Sequence, residues 1–255
     1  MTDPITTGLT GRLAVVTGAT RGIGLAIADA LAAAGADVVA ISASVGPGSE
    51  VEQRVRVHGR SFEGIRVDFG DPDRVDAVGQ ELAARDRWPD IVVNNAGTTE
   101  RGPAETVTRD QWDRLLAVNL TSQFLLTQQL ARPMLAAGSG SIIFLASVLS
   151  FQGGINVSGY AASKSGIAGL TRALANEWAG RGVNVNAIAP GYVATDLNTA
   201  LLDDPDRSAA ILARIPAGRW GRPEDIAGAA VFLASPAAAY VHGSVLAVDG
   251  GWLAR

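Results

Sequence analysis

Tyr160 and Lys164 stand four residues apart in SGYAASKSG, thirteen residues after Ser147. On a helix that spacing puts both side chains on one face, where a lysine ammonium favours the ionised form of a phenol. Such a pair works as one acid/base unit and suggests oxidoreductase chemistry. A tyrosine with an ordinary pKa of about 10 needs roughly 4 kcal/mol of preferential phenolate stabilisation to titrate near neutrality. A lysine and a second neighbouring cation are able to supply it. The bare spacing also suits a tyrosine that merely packs, so the surrounding elements decide its meaning.

Residues 13 to 17, LAVVT, form a short apolar run that ends in Gly18-Ala19-Thr20-Arg21-Gly22-Ile23-Gly24. LAIADALAAAGA follows with helical composition and stops at Gly35. In this strand, glycine turn and helix, the backbone amides and the helix dipole favour a pyrophosphate. Gly18, Gly22 and Gly24 let the backbone come close to it, although the spacing is GxxxGxG rather than GxGxxG. DIVVNNAG (90 to 97) is a second buried-looking strand, ending in Asn94, Asn95, Ala96 and Gly97, where asparagines can brace backbone and border a bound ring. A long helical stretch begins near Asn119, and SIIFLAS (141 to 147) is a strand that ends on Ser147.

Strands are expected near 13–17, 37–41, 62–67, 90–94, 140–146, 183–189 and 244–248, with helices between them, including 72–86, 109–137 and 158–179. Such alternation predicts an α/β protein: one Rossmann-type doubly wound domain, a central seven-stranded parallel sheet with helices on both faces. Ligands then bind at the carboxyl ends of the strands, where the motifs fall. No linker or repeat divides residues 1–255, and the segment from 191 to about 222, with Pro205 and Pro216, is expected to be a substrate lid.

Composition narrows the choices. The 255 residues suit a single domain with a large core. There is no cysteine, and His58 and His242 are not in a metal-ligand spacing, so no metal site is expected. The net charge is −4 and the arginines are scattered, which argues against a nucleic-acid surface. Nothing approaches the ~18-residue apolar run of a membrane span, and MTDPITTGLTGR lacks the pattern of a secretory signal. A soluble cytoplasmic protein is the expectation.

TGATRGIG, NNAG, Asn119, Ser147 and the YxxxK pair, in this order, resemble the short-chain dehydrogenase/reductase family over essentially the whole chain. The resemblance implies a catalytic tetrad of Asn119, Ser147, Tyr160 and Lys164. Ser147 would bond the substrate oxygen and Tyr160 exchange its proton. Lys164 would lower the Tyr160 pKa and hold the nicotinamide ribose, and Asn119 would anchor a water behind it. The family pattern further implies cofactor contacts from Gly18, Thr20, Arg21, Gly22, Ile23, Gly24, Ser42, Asp68, Asn95, Ala96 and Gly97. Pro190, Gly191, Val193 and Thr195 in PGYVATD would face the carboxamide. A small-molecule substrate and a homotetramer are also implied.

An acid at the end of the second strand would select NAD, but VVAIS runs into Ala43, Ser44 and Val45, which leans to NADP. Arg21 could meet a phosphate or lie along the adenine. A narrower resemblance pulls the other way. ASVLSFQGG, NEWAG, NVNAIAPGY, RSAAILARIPAGRWG and AVDGGWLAR resemble a sugar-acid branch, the 2-dehydro-3-deoxy-D-gluconate 5-dehydrogenases, also called 2-deoxy-D-gluconate 3-dehydrogenases. That branch mostly uses NAD, so NAD is expected with NADP left open. The substrate would be of the 2-keto-3-deoxygluconate or 2,5-diketo-3-deoxygluconate type. Arg101, Gln152 and Tyr192 are the candidate substrate contacts, with Arg219 more suited to bracing the lid. TTERGPAE departs from the branch, since Glu100-Arg101 stands where two basic residues are expected. An NADPH-dependent 3-oxoacyl carrier-protein reductase is the alternative. A non-catalytic dinucleotide-binding regulator would have no chemical need for Tyr160 beside Lys164.

Overall fold

Strands buried on both faces explain the sheet. A computed structural model describes residues 8–255, and the start of the segment read for a secretory signal lies outside them. Every residue of β1 (Leu13–Thr17) is buried. Its side chains alternate, Ala14 and Val16 entering one core and Leu13 and Val15 the other. β2 (Asp37–Ser42), β4 (Ile91–Asn94), β5 (Gly140–Leu145) and β6 (Val183–Pro190) are comparably apolar. β3 (Phe62–Arg66) and β7 (Val245–Val248) are the more exposed edges. The seven strands lie in the order β3-β2-β1-β4-β5-β6-β7 and all pair in parallel. The order reverses between β1 and β4, and that switch point opens a crevice for a ligand.

Helices cover both faces. α1 (Gly22–Ala33), α2 (Glu50–Val57) and α9 (Pro223–Ala234) bury Leu31, Val55 and Leu233 in one core. α3 (Pro72–Ala83), α5 (Ser122–Ala137) and α6 (Ser158–Trp178) bury Val78, Leu130 and Ile167 in the other. Local chemistry sets their ends. Asp71 caps α3 by accepting from the Arg74 amide at 3.0 Å, with Pro72 in the first turn. Gly138, at φ 68, closes α5 in the left-handed region.

The expected helix over 109–137 is interrupted. α4 (Arg109–Leu116) passes into a π-helical turn, Ala117–Thr121, before α5 starts. Asn119, fully buried, holds that turn by bonding both the amide and the carbonyl of Thr98, at 2.8 and 2.9 Å. A widened turn of this kind re-aims one residue, and such turns cluster at functional sites.

Between Pro190 and α9 the chain makes an excursion whose base is pinned. Val193 bridges Gly221, and the Gly221 amide bonds the Tyr192 carbonyl at 2.9 Å. Within it lie α7 (Thr199–Leu202) and α8 (Pro205–Leu212). Leu201, Ile211 and Ile215 pack with Val148 and Trp252 in a small separate core. Among the described residues no helix is long and apolar enough to cross a membrane.

Candidate active site

A cleft of about 560 Å³ runs over the carboxyl ends of the strands. All the positions expected to contact a cofactor line it, from Gly18, Thr20, Arg21, Gly22, Ile23 and Gly24 to Pro190, Gly191, Val193 and Thr195. Ser42, Asp68, Asn95, Ala96 and Gly97 are on its wall as well.

The glycine turn is a cradle that side chains would fill. Gly18 and Gly22 have φ of 64° and 54°, in the left-handed region. A Cβ on Gly24 would run into the Gly18 carbonyl and the Asn95 amide. Asn95 locks the turn by donating to the Thr17 and Gly18 carbonyls at 2.9 and 3.1 Å. The two asparagines thus divide: Asn94 is fully buried and bonds Thr127 at 2.8 Å, away from the cleft. Arg21 occupies the cap position of α1 and makes no side-chain cap hydrogen bond, so its side chain does not take up the amides of this helix start. The residues present fit a pyrophosphate.

At one end of the cleft, Thr20 Oγ1 lies 3.2 Å from Ser42 Oγ and 3.0 Å from Ser44 Oγ. Three hydroxyls stand where an acid would exclude a 2′-phosphate. Asp68, at the other wall, is held below the usual carboxylate range by the Gly70 amide and then by Arg114. Arg21 is exposed and pairs with Asp196 at 3.4 Å.

At the other end, Asn119, Ser147, Tyr160 and Lys164 converge. Asn119 Nδ2 lies 3.2 Å from Ser163 Oγ, one residue before Lys164. The Gly97 backbone packs here too, a Cβ on it falling 3.5 Å from Asn119 Oδ1 and 3.8 Å from Lys164 Nζ. Lys164 is 3% exposed, and its Nζ donates to the Leu145 carbonyl at 2.6 Å. Burial lowers its pKa to about 8. Burial also dominates Tyr160 and pushes its phenol above the ordinary value, while the Ser147 hydrogen bond and the Arg101 charge pull it down. Lys164, expected to lower the phenol, is not among the groups that shift it. The ammonium is 5.6 Å from the ring centroid and is engaged with backbone.

Ser147 and Tyr160 also line a smaller recess of about 100 Å³. Arg101 and Tyr192 are on its wall, together with Thr99, Leu149, Asn198 and Arg207.

The family model described as enoyl-(acyl carrier protein) reductase matches residues 18–253. A 2-dehydro-3-deoxy-D-gluconate 5-dehydrogenase from Pseudoalteromonas atlantica is 56% identical over 97% of this chain and 98% of its own. The chain belongs to the short-chain dehydrogenase/reductase family.

Solved members of the family superpose closely. A protein from Beutenbergia cavernae, provisionally named an NAD(P)-dependent gluconate 5-dehydrogenase and carrying NADP at low occupancy, is 55% identical with a TM-score of 0.94, covering 98% of this chain and 99% of its own. Another from Agrobacterium tumefaciens, provisionally named a 2-deoxy-D-gluconate 3-dehydrogenase and carrying NADP, is 50% identical with a TM-score of 0.92 over the whole of both chains. The 3-oxoacyl-[acyl-carrier-protein] reductase of Escherichia coli is more distant, at 39% identity over 94% of this chain and 97% of its own. This short-chain dehydrogenase/reductase is thus an oxidoreductase with a nicotinamide dinucleotide site.

Within this member of the family two expected substrate contacts, Arg101 and Tyr192, reach the recess and one does not. Gln152 lines neither cavity, because Leu149, Gly154, Ile155 and Val157 are the residues through which its loop borders the recess. Arg219 is held elsewhere, its guanidinium forked onto both carboxylate oxygens of Asp225. Trp220 packs edge-on to Tyr192 at 5.6 Å. Sequence reasoning missed Arg207, since a lone arginine in a charged stretch, DDPDRS, carries no spacing signal. It also missed Asn198, which donates to the Val193 carbonyl at 2.9 Å and faces Arg101.

Proposed function

We propose that the protein is an NADP(H)-dependent dehydrogenase of a deoxy sugar acid. It moves a hydride between the nicotinamide and the carbinol or ketone carbon of a substrate of the 2-keto-3-deoxygluconate or 2,5-diketo-3-deoxygluconate type. One observation carries the reading: Ser147 and Tyr160 border both the cleft and a recess whose wall includes Arg101 and, among the described residues, no carboxylate. A compact anion suits that recess better than a carrier-linked acyl chain, and the names of the more similar relatives point the same way.

In this reading the glycine turn and α1 hold the pyrophosphate and Asp68 meets the adenine. Thr20, Ser42 and Ser44, with Arg21, receive the 2′-phosphate. NADP is proposed over the expected NAD because hydroxyls stand in place of the acid, and the NADP in the two solved relatives supports that choice. Lys164 holds the nicotinamide ribose, and Pro190, Gly191, Val193 and Thr195 border the carboxamide. When bound, the nicotinamide supplies or accepts the hydride. Ser147 Oγ donates to the substrate oxygen. Tyr160 Oη gives that oxygen a proton in reduction and takes it back in oxidation. Lys164, with a pKa of about 8, is poised to pass the proton on toward Asn119 and solvent.

The segment 191–222 acts as the lid, within a single catalytic domain. The protein is cytoplasmic and assembles as a homotetramer through α6 and β7, which is only partly buried in one chain; sedimentation as a monomer would exclude the assembly.

Initial rates with 2-keto-3-deoxygluconate, run with NADP and NAD in parallel, test the activity. Tyr160-dependent reduction faster with NADP supports it. Equal rates in wild type and Tyr160→Phe, or none with either cofactor, would send the search to carrier-linked ketones.

A further inference from the structure

Two arginines from different parts of the chain line the recess beside Tyr160. Arg101 comes from the loop after β4 and Arg207 from the first turn of α8. Among the described residues no Asp or Glu lines this recess. The two cations are also poorly matched in the protein itself. Among the described residues Arg101 has a single hydrogen-bonding side-chain partner, the neutral Asn198 amide oxygen at 3.4 Å. The guanidinium of Arg207 has no hydrogen bond or ion pair among the described residues, only its backbone amide being engaged, with Asp204 at 3.0 Å. Arg219 of the same excursion behaves differently, being forked onto Asp225.

The direction of Arg207 follows from α8. Residues four apart share a helix face. Ile211, one turn on from Arg207, is 6% exposed and packs with Leu201 and Val148. Leu201 and Val148 are themselves recess residues. The apolar anchor of α8 therefore leaves Arg207, itself exposed, on the wall of the recess. Asp204, the nearest acid in sequence to the helix start, is committed to the amides of Asp206 and Arg207 at 3.1 and 3.0 Å.

We propose that Arg207 is a specificity-determining residue which, together with Arg101, clasps the carboxylate of the substrate. The inference rests on the sugar-acid reading and deepens it. Guanidinium and carboxylate match as planar two-point partners. A carboxylate held between Arg101 and Arg207 ties the loop after β4 to α8. Charge selection and closure of the excursion over Tyr160 become one event.

The test compares 2-keto-3-deoxygluconate with its neutral methyl ester and reads the ratio of their kcat/KM values. In Arg207→Ala the acid-over-ester ratio falls about tenfold to hundredfold, the worth of a charge-assisted pair, mainly through KM for the acid. Arg207→Lys recovers part of it, because the charge remains without the fork. The Arg101→Ala, Arg207→Ala double variant loses less than the product of the single losses, as two groups on one carboxylate must. A ratio that Arg207→Ala leaves unchanged while Arg101→Ala lowers it overturns the role of Arg207 and leaves the sugar-acid reading standing. Equal losses on acid and ester make Arg207 a structural residue and also overturn it. A wild-type protein with no preference for the acid removes the sugar-acid reading itself.

Discussion

Lys164→Met should convert a functional cost into a measurable, pH-dependent change in stability. Lys164 is 3% exposed, and burial lowers its pKa from 10.5 to about 8. At ~1.4 kcal/mol per pKa unit, holding the charged form in the fold costs about 3 kcal/mol at neutral pH. Methionine keeps the length of the side chain without the charge, but leaves the Leu145 carbonyl without its 2.6 Å donor. That second effect costs about 1–3 kcal/mol and does not vary with pH. The sign then follows from proton counts. The folded-state pKa is depressed, so between about 8 and 10.5 the unfolded chain binds more protons and stability rises with pH. Wild type should gain about 2 kcal/mol relative to Lys164→Met on going from about pH 7 to about pH 9.5. Urea unfolding of the cofactor-free protein at both pH values measures this, below the range in which the raised Tyr160 phenol begins to act in the opposite sense. A difference between the two proteins that stays constant with pH would refute the account of Lys164 as a buried, strained charge.

The other predictions concern the cofactor and the proton. Gly24→Ala places a Cβ against the Gly18 carbonyl and the Asn95 amide, so NADPH affinity by fluorescence titration should fall at least tenfold, on the order of a lost hydrogen bond to a charged group. Ala43→Asp puts an acid beside Thr20, Ser42 and Ser44; the ratio of NADP to NAD affinity should drop roughly tenfold or more through repulsion of the 2′-phosphate. Arg101→Ala removes a charge that lowers the Tyr160 pKa, so the midpoint of kcat/KM against pH for oxidation of a neutral alcohol should move up. An unmoved midpoint would mean that Arg101 does not act on the phenol.

Much of the frame was legible because its signals are local. Apolar runs at residues 13–17 and 90–94 correspond closely to β1 and β4, and the glycine turn, with its positive φ at Gly18 and Gly22, sits where its composition required. The wide turn at Asn119 was not legible. The apolar pattern of VNLTSQFLL continues a helix, and only the tertiary bonds to Thr98 reveal that the turn is opened. The direction of the Tyr160 shift was also hidden. Spacing places Lys164 near the phenol, but burial outweighs the Ser147 hydrogen bond and the Arg101 charge there, and the ammonium is drawn to the Leu145 carbonyl. Arg207 became visible only when α8 folded over the recess, since its sequence neighbours are acids that point to an ordinary solvated helix start. Gln152 is the converse case: nearness in sequence to Ser147 did not carry it to the wall of either cavity.

The central claim, that hydride and proton meet at one carbon–oxygen bond beside Tyr160, is tested most directly by isotope transfer. The enzyme would be supplied with 2,5-diketo-3-deoxygluconate and NADPH deuterated at the reactive nicotinamide carbon, and the product examined by mass spectrometry and NMR. One deuterium on the new carbinol carbon, formed by wild type and lost in Tyr160→Phe, is the predicted result. Product without deuterium, or deuterium transfer that survives unchanged in Tyr160→Phe, would contradict the account.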